Sequence, residues 1–151
     1  MKLSFSTNRW NNFSFDQFID IAGEYRFNGI EIHDVHAVFD IAEPGRITAL
    51  YRRLMEKRLD ISCIDLVSDI VLKKDEALEE LIPVLDAARR LHCPNIRIKT
   101  VAGGDDVLEK VREFLASALP LAEKNQASRS WILTGSILWR DQSFSRIIFI
   151  F

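Results

Sequence analysis

The hydrophobic positions of this chain switch repeatedly between a period of two and a period of about three and a half. Leu3 and Phe5 alternate with Lys2, Ser4 and Ser6, as in a strand. Ser14-Phe15-Asp16-Gln17 then has the form of a capping box, and Phe18, Ile19, Ala22 and Tyr25 follow at helical spacing, which predicts a helix to about Phe27. Asn28-Gly29 reads as a stop, and Ile30-Glu31-Ile32-His33 as a second strand. Pro44 and Gly45 open a second helix whose stripe is Ile47, Leu50, Tyr51, Leu54 and Met55. Ile61, Cys63, Ile64 and Leu66 predict a third strand, and Leu78, Leu81, Ile82, Leu85, Ala88 and Leu91 a third helix. Pro83 lies inside that stripe, where a missing N–H and a ring clash cost about 3 kcal/mol, so a kink or a break near Ile82 is expected. Ile96-Arg97-Ile98-Lys99 predicts strand four, and Val107, Leu108, Val111, Leu115, Ala118, Leu119 and Ala122 a fourth helix with Pro120 inside it.

Strands thus start near residues 3, 30, 61 and 96, each followed by a helix. Such βα repeats imply parallel strands with right-handed helical crossovers. The fold class is α/β, either an open doubly wound sheet or about four units, half, of a (β/α)₈ barrel. A dinucleotide-binding sheet would show glycines after strand one, but Ser6-Thr7-Asn8-Arg9-Trp10-Asn11-Asn12 has none.

Composition changes the picture at one place. Residues 1–125 hold seven Lys and ten Glu, whereas 126–151 hold neither and end on Ile147-Ile148-Phe149-Ile150-Phe151. The chain therefore divides into a βα part, 1–125, and an atypical tail, 126–151, in which Trp131 to Thr134 and Ile137 to Trp139 are strand formers, with one extra strand expected. Codons for Gln126 to Trp131 can be chosen that read Gly-Val-Thr-Leu-Leu in another frame, so a frameshifted tail is one expectation. The apolar end could cover an open sheet edge or promote self-association, and a homo-oligomer is one outcome.

Charge narrows the partners. Residues 1–125 carry 17 Lys plus Arg against 21 Asp plus Glu, a net of −4, with no basic stripe, so a nucleic-acid partner is not expected. No apolar run reaches the ~18 residues of a membrane span, and Met1 to Asn8 lack a signal-peptide core, so no membrane partner and a cytoplasmic location are expected. Cys63 and Cys93 sit among apolar neighbours and read as buried thiols.

In parallel α/β folds the ligand site lies at the carboxyl ends of the strands. Those ends carry Ser6-Thr7-Asn8, Glu31, His33, Asp65 and Lys99, a polar set of mixed charge suited to polyhydroxylated or anionic ligands and to proton removal beside a carbonyl. Glu31 in an apolar strand needs a site or a partner such as Lys2 or Lys99. Asp65 is either a ligand group or the cap of a turn, and Lys99 shares its face with Arg97. His33-Asp34-Val35-His36 could hold a metal or simply form a loop, and His92 sits where a helix C-cap is expected. Gly103-Gly104-Asp105 reads as a helix start with Asp105 as N-cap, or as a phosphate cradle.

The runs Phe27-Asn28-Gly29-Ile30-Glu31-Ile32, Leu59-Asp60-Ile61-Ser62-Cys63, Ala87 to Ile98 and Leu119-Pro120-Leu121-Ala122-Glu123-Lys124-Asn125 resemble the sugar phosphate isomerase/epimerase family of xylose isomerase-like TIM barrels, a superfamily that also houses the endonuclease IV group. The resemblance covers residues 1 to about 125 and implies the amino-terminal half of such a barrel. It implies a sugar or sugar phosphate substrate and a divalent metal (Mn, Mg, Zn or Co) held by later strands, with Glu31, His33, Asp65 and Lys99 as substrate-facing positions. No glutamate follows Glu123, so the resemblance implies a chain that does not bind the metal and is inactive alone.

Overall fold

The structure is a computed structural model, and it describes residues 2–8, 12–33, 44–101, 103–104, 106–124, 130–135 and 147–150. Its elements run β1 (Ser4–Ser6), α1 (Phe15–Glu24), β2 (Gly29–Ile32), α2 (Pro44–Lys57), β3 (Asp60–Asp65), α3 (Lys74–Arg90), β4 (Asn95–Thr100), α4 (Val107–Lys124), β5 (Ser130–Gly135) and β6 (Ile147–Ile150). The strands form one sheet in the order β1-β2-β3-β4-β5-β6. Neighbours from β1 to β5 are parallel, and β6 returns antiparallel along β5. The first four strand–helix units are the α/β half-barrel arrangement that the repeat predicts. The tail, expected to add one strand, contributes two; Ile137 to Trp139 lie outside the described residues.

One face of the sheet is apolar because alternate strand residues are. Ile30, Ile32, Ile61, Ile64, Ile96 and Ile98 share one buried core with Ile19 and Ala22 of α1, Leu54 of α2, Leu81 and Leu85 of α3, and Phe114 and Ala118 of α4. Phe5 of β1 joins this side through ring contacts with Phe18 and Phe27 at 5.8 and 5.3 Å. The other face carries the residues between them, and it is polar.

Three helices hand the chain to the next strand in the same way. After α1, Arg26 N–H donates to the Gly23 carbonyl and Phe27 N–H to that of Ala22; after α2, Arg58 bonds Met55 and Leu59 bonds Leu54; after α3, His92 bonds Arg89 and Cys93 bonds Ala88. Each is a Schellman motif with a left-handed residue at its centre, and φ is 57° at Arg26, 56° at Arg58 and 52° at His92. The first helix therefore stops at Glu24, three residues before the expected Phe27, because Phe27 caps it from outside. His92 fills the C-terminal capping position that its place in the sequence suggested.

Gly29, read as a stop, is instead the first residue of β2. A Cβ there would lie 2.9 Å from the Asp60 carbonyl, so glycine lets β2 and β3 approach. α3 does not break at Ile82 but runs through Pro83 to Arg90. Leu81, Val84, Leu85, Ala87 and Ala88 are buried on both sides of the proline, and that burial outweighs one lost hydrogen bond. α4 likewise continues through Pro120. Among the described residues no helix is long and apolar enough to cross a membrane.

Candidate functional site

The polar face of the sheet gathers its charge at the carboxyl ends of β2, β3 and β4. Register places Asp65 opposite Arg97 and Glu31 opposite Cys63. The shift between Ile30 and Glu31 in the β2–β3 pairing sets this second alignment. Across the face, Arg97 forks between two carboxylates. One terminal nitrogen lies 3.1 Å from Glu31 Oε2 and the other 3.2 Å from Asp65 Oδ1. His33, the residue after β2, completes the chain with Nε2 at 3.4 Å from Asp65 Oδ2. Side-chain exposure falls from 29% at Glu31 through 20% at His33 and 19% at Arg97 to 2% at Asp65, so the network has one accessible end and one sealed end.

The backbone fixes this geometry. Thr7, fully buried after β1, donates its N–H to the Glu31 carbonyl at 3.2 Å, and its hydroxyl accepts from His33 N–H at 2.9 Å. That pair locks the exit of β2 to the exit of β1. Leu66 N–H and Ile70 N–H donate to the carbonyls of Arg97 and Lys99, so the chain after β3 runs on beside β4. Lys99 stands one alternate position beyond Arg97, at the mouth, opposite Thr134 in register.

Two further carboxylates hold the loop between β3 and α3. Glu80, 5% exposed, reaches from α3 to accept from Val67 N–H and, at 2.9 Å, from Ser68 N–H. Asp69 accepts from Val71 and Leu72 N–H at 2.8 and 2.9 Å, from the Thr100 hydroxyl at 3.0 Å and from Val101 N–H at 2.6 Å. Burial alone would raise the Asp69 carboxyl; the donors from Leu72, Val101, Val71 and Thr100 together hold it below the ordinary carboxylate value. At Arg97 burial works against the charge, and Asp65 and Glu31 beside it more than offset that, leaving the guanidinium above its ordinary value. Burial pushes the Cys63 thiol up, and that of Cys93 to about 12; both are free cysteines.

Of the four residues expected at the mouth, the structure brings Glu31, His33 and Asp65 into one network and sets Lys99 next along the same face. The cation beside the Glu31 carboxylate is Arg97, while Lys2 pairs with Asp60 at 3.4 Å on the opposite rim. Arg97 was the residue to find. It alternates with Ile96 and Ile98, and an arginine in a strand buried on one face calls for a carboxylate on its other face. Thr7 stands at a strand end already read as part of the mouth, whereas Asp69 and Glu80 carry no such signal, since their donors are almost all loop backbone groups. Asp34, His36 and Asp105 lie outside the described residues.

The donor set does not suit a divalent metal here. The guanidinium of Arg97 sits between Glu31 and Asp65, where a metal would need their oxygens to converge. Among the described residues no group of three His, Cys, Asp or Glu side chains could hold an ion.

The half-barrel arrangement of parallel strands is shared with solved structures. The chain superposes on the IolI protein, whose structure is described as having a binding zinc atom, with a TM-score of 0.74 at 11% identity over 89% of this chain and 51% of that one. For the probable 3-DHS dehydratase AsbF of Bacillus anthracis the values are 0.65, 20%, 91% and 52%. For a D-tagatose 3-epimerase-like protein they are 0.65, 13%, 89% and 52%. Over its length the chain shares the α/β half-barrel fold of these structures. It spans about half the length of each structure it matches. No protein-family profile and no curated protein sequence matches it.

Proposed function

We propose that residues 1–125 are the substrate-facing half of a sugar isomerase or epimerase barrel, acting when complete by proton transfer beside a carbonyl. The observation that carries this reading is the convergence of Glu31, Arg97, Asp65 and His33 on the polar face at the strand ends. Glu31, the more exposed carboxylate, offers an acceptor to a sugar hydroxyl, Asp65, sealed beneath, holds Arg97 and His33 in place, and Lys99 stands at the rim. The metal that the family resemblance implies belongs, in this reading, to strands beyond these four, and the chain alone binds sugar without turning it over.

The test is equilibrium binding of neutral ketoses and aldoses to the wild-type chain and to Glu31→Gln. The expected result is weak binding that falls about tenfold in the variant, as for the loss of one charged acceptor, with no isomerised product. Binding unchanged by Glu31→Gln contradicts the reading.

Self-association through an open sheet edge is a second reading. β6 covers the outer edge of β5, so among the described residues the terminal strands of the sheet are the apolar β6 and the three-residue β1. Light scattering after size exclusion decides it, a clean monomer counting against pairing. In the monomeric reading the chain works in the cytoplasm on a small molecule, without nucleic acid or membrane.

A further inference from the structure

The proposed site leaves open whether its sugar is phosphorylated, and the backbone around the mouth bears on that. Phosphate in α/β folds is held by clustered backbone N–H groups in loops at the strand ends, and by the first turns of the helices that follow. In this chain the N–H groups of the β3–α3 loop and of the residue after β4 are already bonded to the protein's own carboxylates. Val67 and Ser68 N–H go to Glu80, and Val71, Leu72 and Val101 N–H to Asp69. Two side-chain anions thus stand where a phosphate would.

Three of the helix starts on the same side carry their own acids; α2 has none in its first turn, but it opens on Pro44, which has no N–H to offer. Ser14 and Gln17 cap α1 reciprocally, and Asp16 lies in its first turn. The first turn of α3 holds Asp75 and Glu76, and the two lysines beside them, Lys73 and Lys74, are ion-paired to Glu76 and Glu113 at 2.8 and 3.4 Å. At α4, Asp106 stands just before the first turn, ion-paired to Lys110 at 2.6 Å, and Glu109 lies within that turn. A phosphate dianion approaching any of these starts meets a carboxylate. Within the network, moreover, the guanidinium of Arg97 is shared by two acids.

We infer that this mouth takes its sugar unphosphorylated, Asp69 and Glu80 occupying the backbone cradles that a phosphoryl group would need. The inference rests on the sugar-binding reading above. Gly103-Gly104, one candidate cradle in the sequence, belongs to the acidic start of α4, where Gly104 has φ +122° and its carbonyl accepts from Val107 N–H.

The experiment follows the backbone amides by ¹⁵N–¹H NMR while inorganic phosphate is titrated into the full chain and into Asp69→Ala. In the wild type the amides of Val67, Ser68, Val71, Leu72 and Val101 are expected not to move. In Asp69→Ala the freed amides of Val71, Leu72 and Val101 are expected to shift and saturate with roughly millimolar affinity, typical of a backbone nest binding an inorganic anion. If Asp69→Ala does not fold, Glu80→Ala frees the Val67 and Ser68 amides for the same measurement. Saturable phosphate shifts in the wild type overturn the inference, as does the absence of any gain in a folded variant. So does a ketose phosphate that binds the wild type about tenfold tighter than its parent sugar. Failure of the underlying reading shows elsewhere, as absence of neutral-sugar binding by the wild-type chain.

Discussion

Replacing Arg97 by Met keeps the aliphatic stem and removes the charge that two acids share. Asp65, 2% exposed, is left with the His33 ring at 3.4 Å, and Glu31 is left facing it across the polar face. Removing one partner of a fully buried ion pair costs about 3–5 kcal/mol, because the remaining charge stays desolvated. Arg97 retains 19% side-chain exposure and Glu31 29%, so water reaches part of the network and the loss falls around the lower end of that range. We expect Arg97→Met to lose about 2–4 kcal/mol at pH 7, a large share of the 5–15 kcal/mol that holds an ordinary domain together. Urea unfolding followed by far-ultraviolet circular dichroism measures it. Asp65→Asn added to Arg97→Met should recover about half of the loss, since the buried charge is then gone. A single variant within about 0.5 kcal/mol of wild type would refute the reasoning, because that is the range of an ordinary exposed pair.

Asp69→Asn should cost about 2–3 kcal/mol at pH 7, since the charged acceptor of four donors becomes neutral. The folded carboxyl titrates below its ordinary 3.8, so its contribution is present above that pH and is lost as pH falls through the lower folded value; the gap between wild type and variant in chemical unfolding should close only in that acid range. Arg58→Gly should stabilise the chain by about 0.5–1 kcal/mol in thermal or urea unfolding, because φ 56° strains any side chain with a Cβ. Cys63 and Cys93, buried and with raised thiols, should resist a thiol reagent at pH 8 in the native chain and react fully once it is unfolded; fast native labelling counts against the packing described.

How much of this was legible in the chain follows from what each residue answers to. Helix and strand identities were readable because their cause is local: Ile96 and Ile98 alternate with Arg97 and Lys99, and the α1 capping box sits within four residues. Helix ends were less so, because Arg26, Arg58 and His92 take left-handed backbone without the glycine that normally marks it. Pro83 misled because its local cost is outweighed by burial on both sides, a tertiary effect. At the site, a topological rule put Glu31, His33, Asp65 and Lys99 at strand ends, and the structure sets the first three in one network. That Arg97 needs an acid is legible from its alternation with Ile96 and Ile98; which acids it takes depends on the β2–β3 register shift, and the Asp69 and Glu80 cradles on loop backbone, neither of which leaves a pattern in the sequence.

The central claim is that the polar face at the ends of β2, β3 and β4 is where a neutral sugar binds. Mapping by ¹⁵N–¹H NMR during titration with a neutral ketose tests it most directly. The expected result is saturable shifts clustered at Glu31, His33, Asp65, Arg97 and Lys99, abolished in Arg97→Met that still folds. Shifts clustered instead on the opposite rim, in the cavity of about 250 Å³ where Tyr51 and His92 meet with ring centroids 5.6 Å apart, would contradict it.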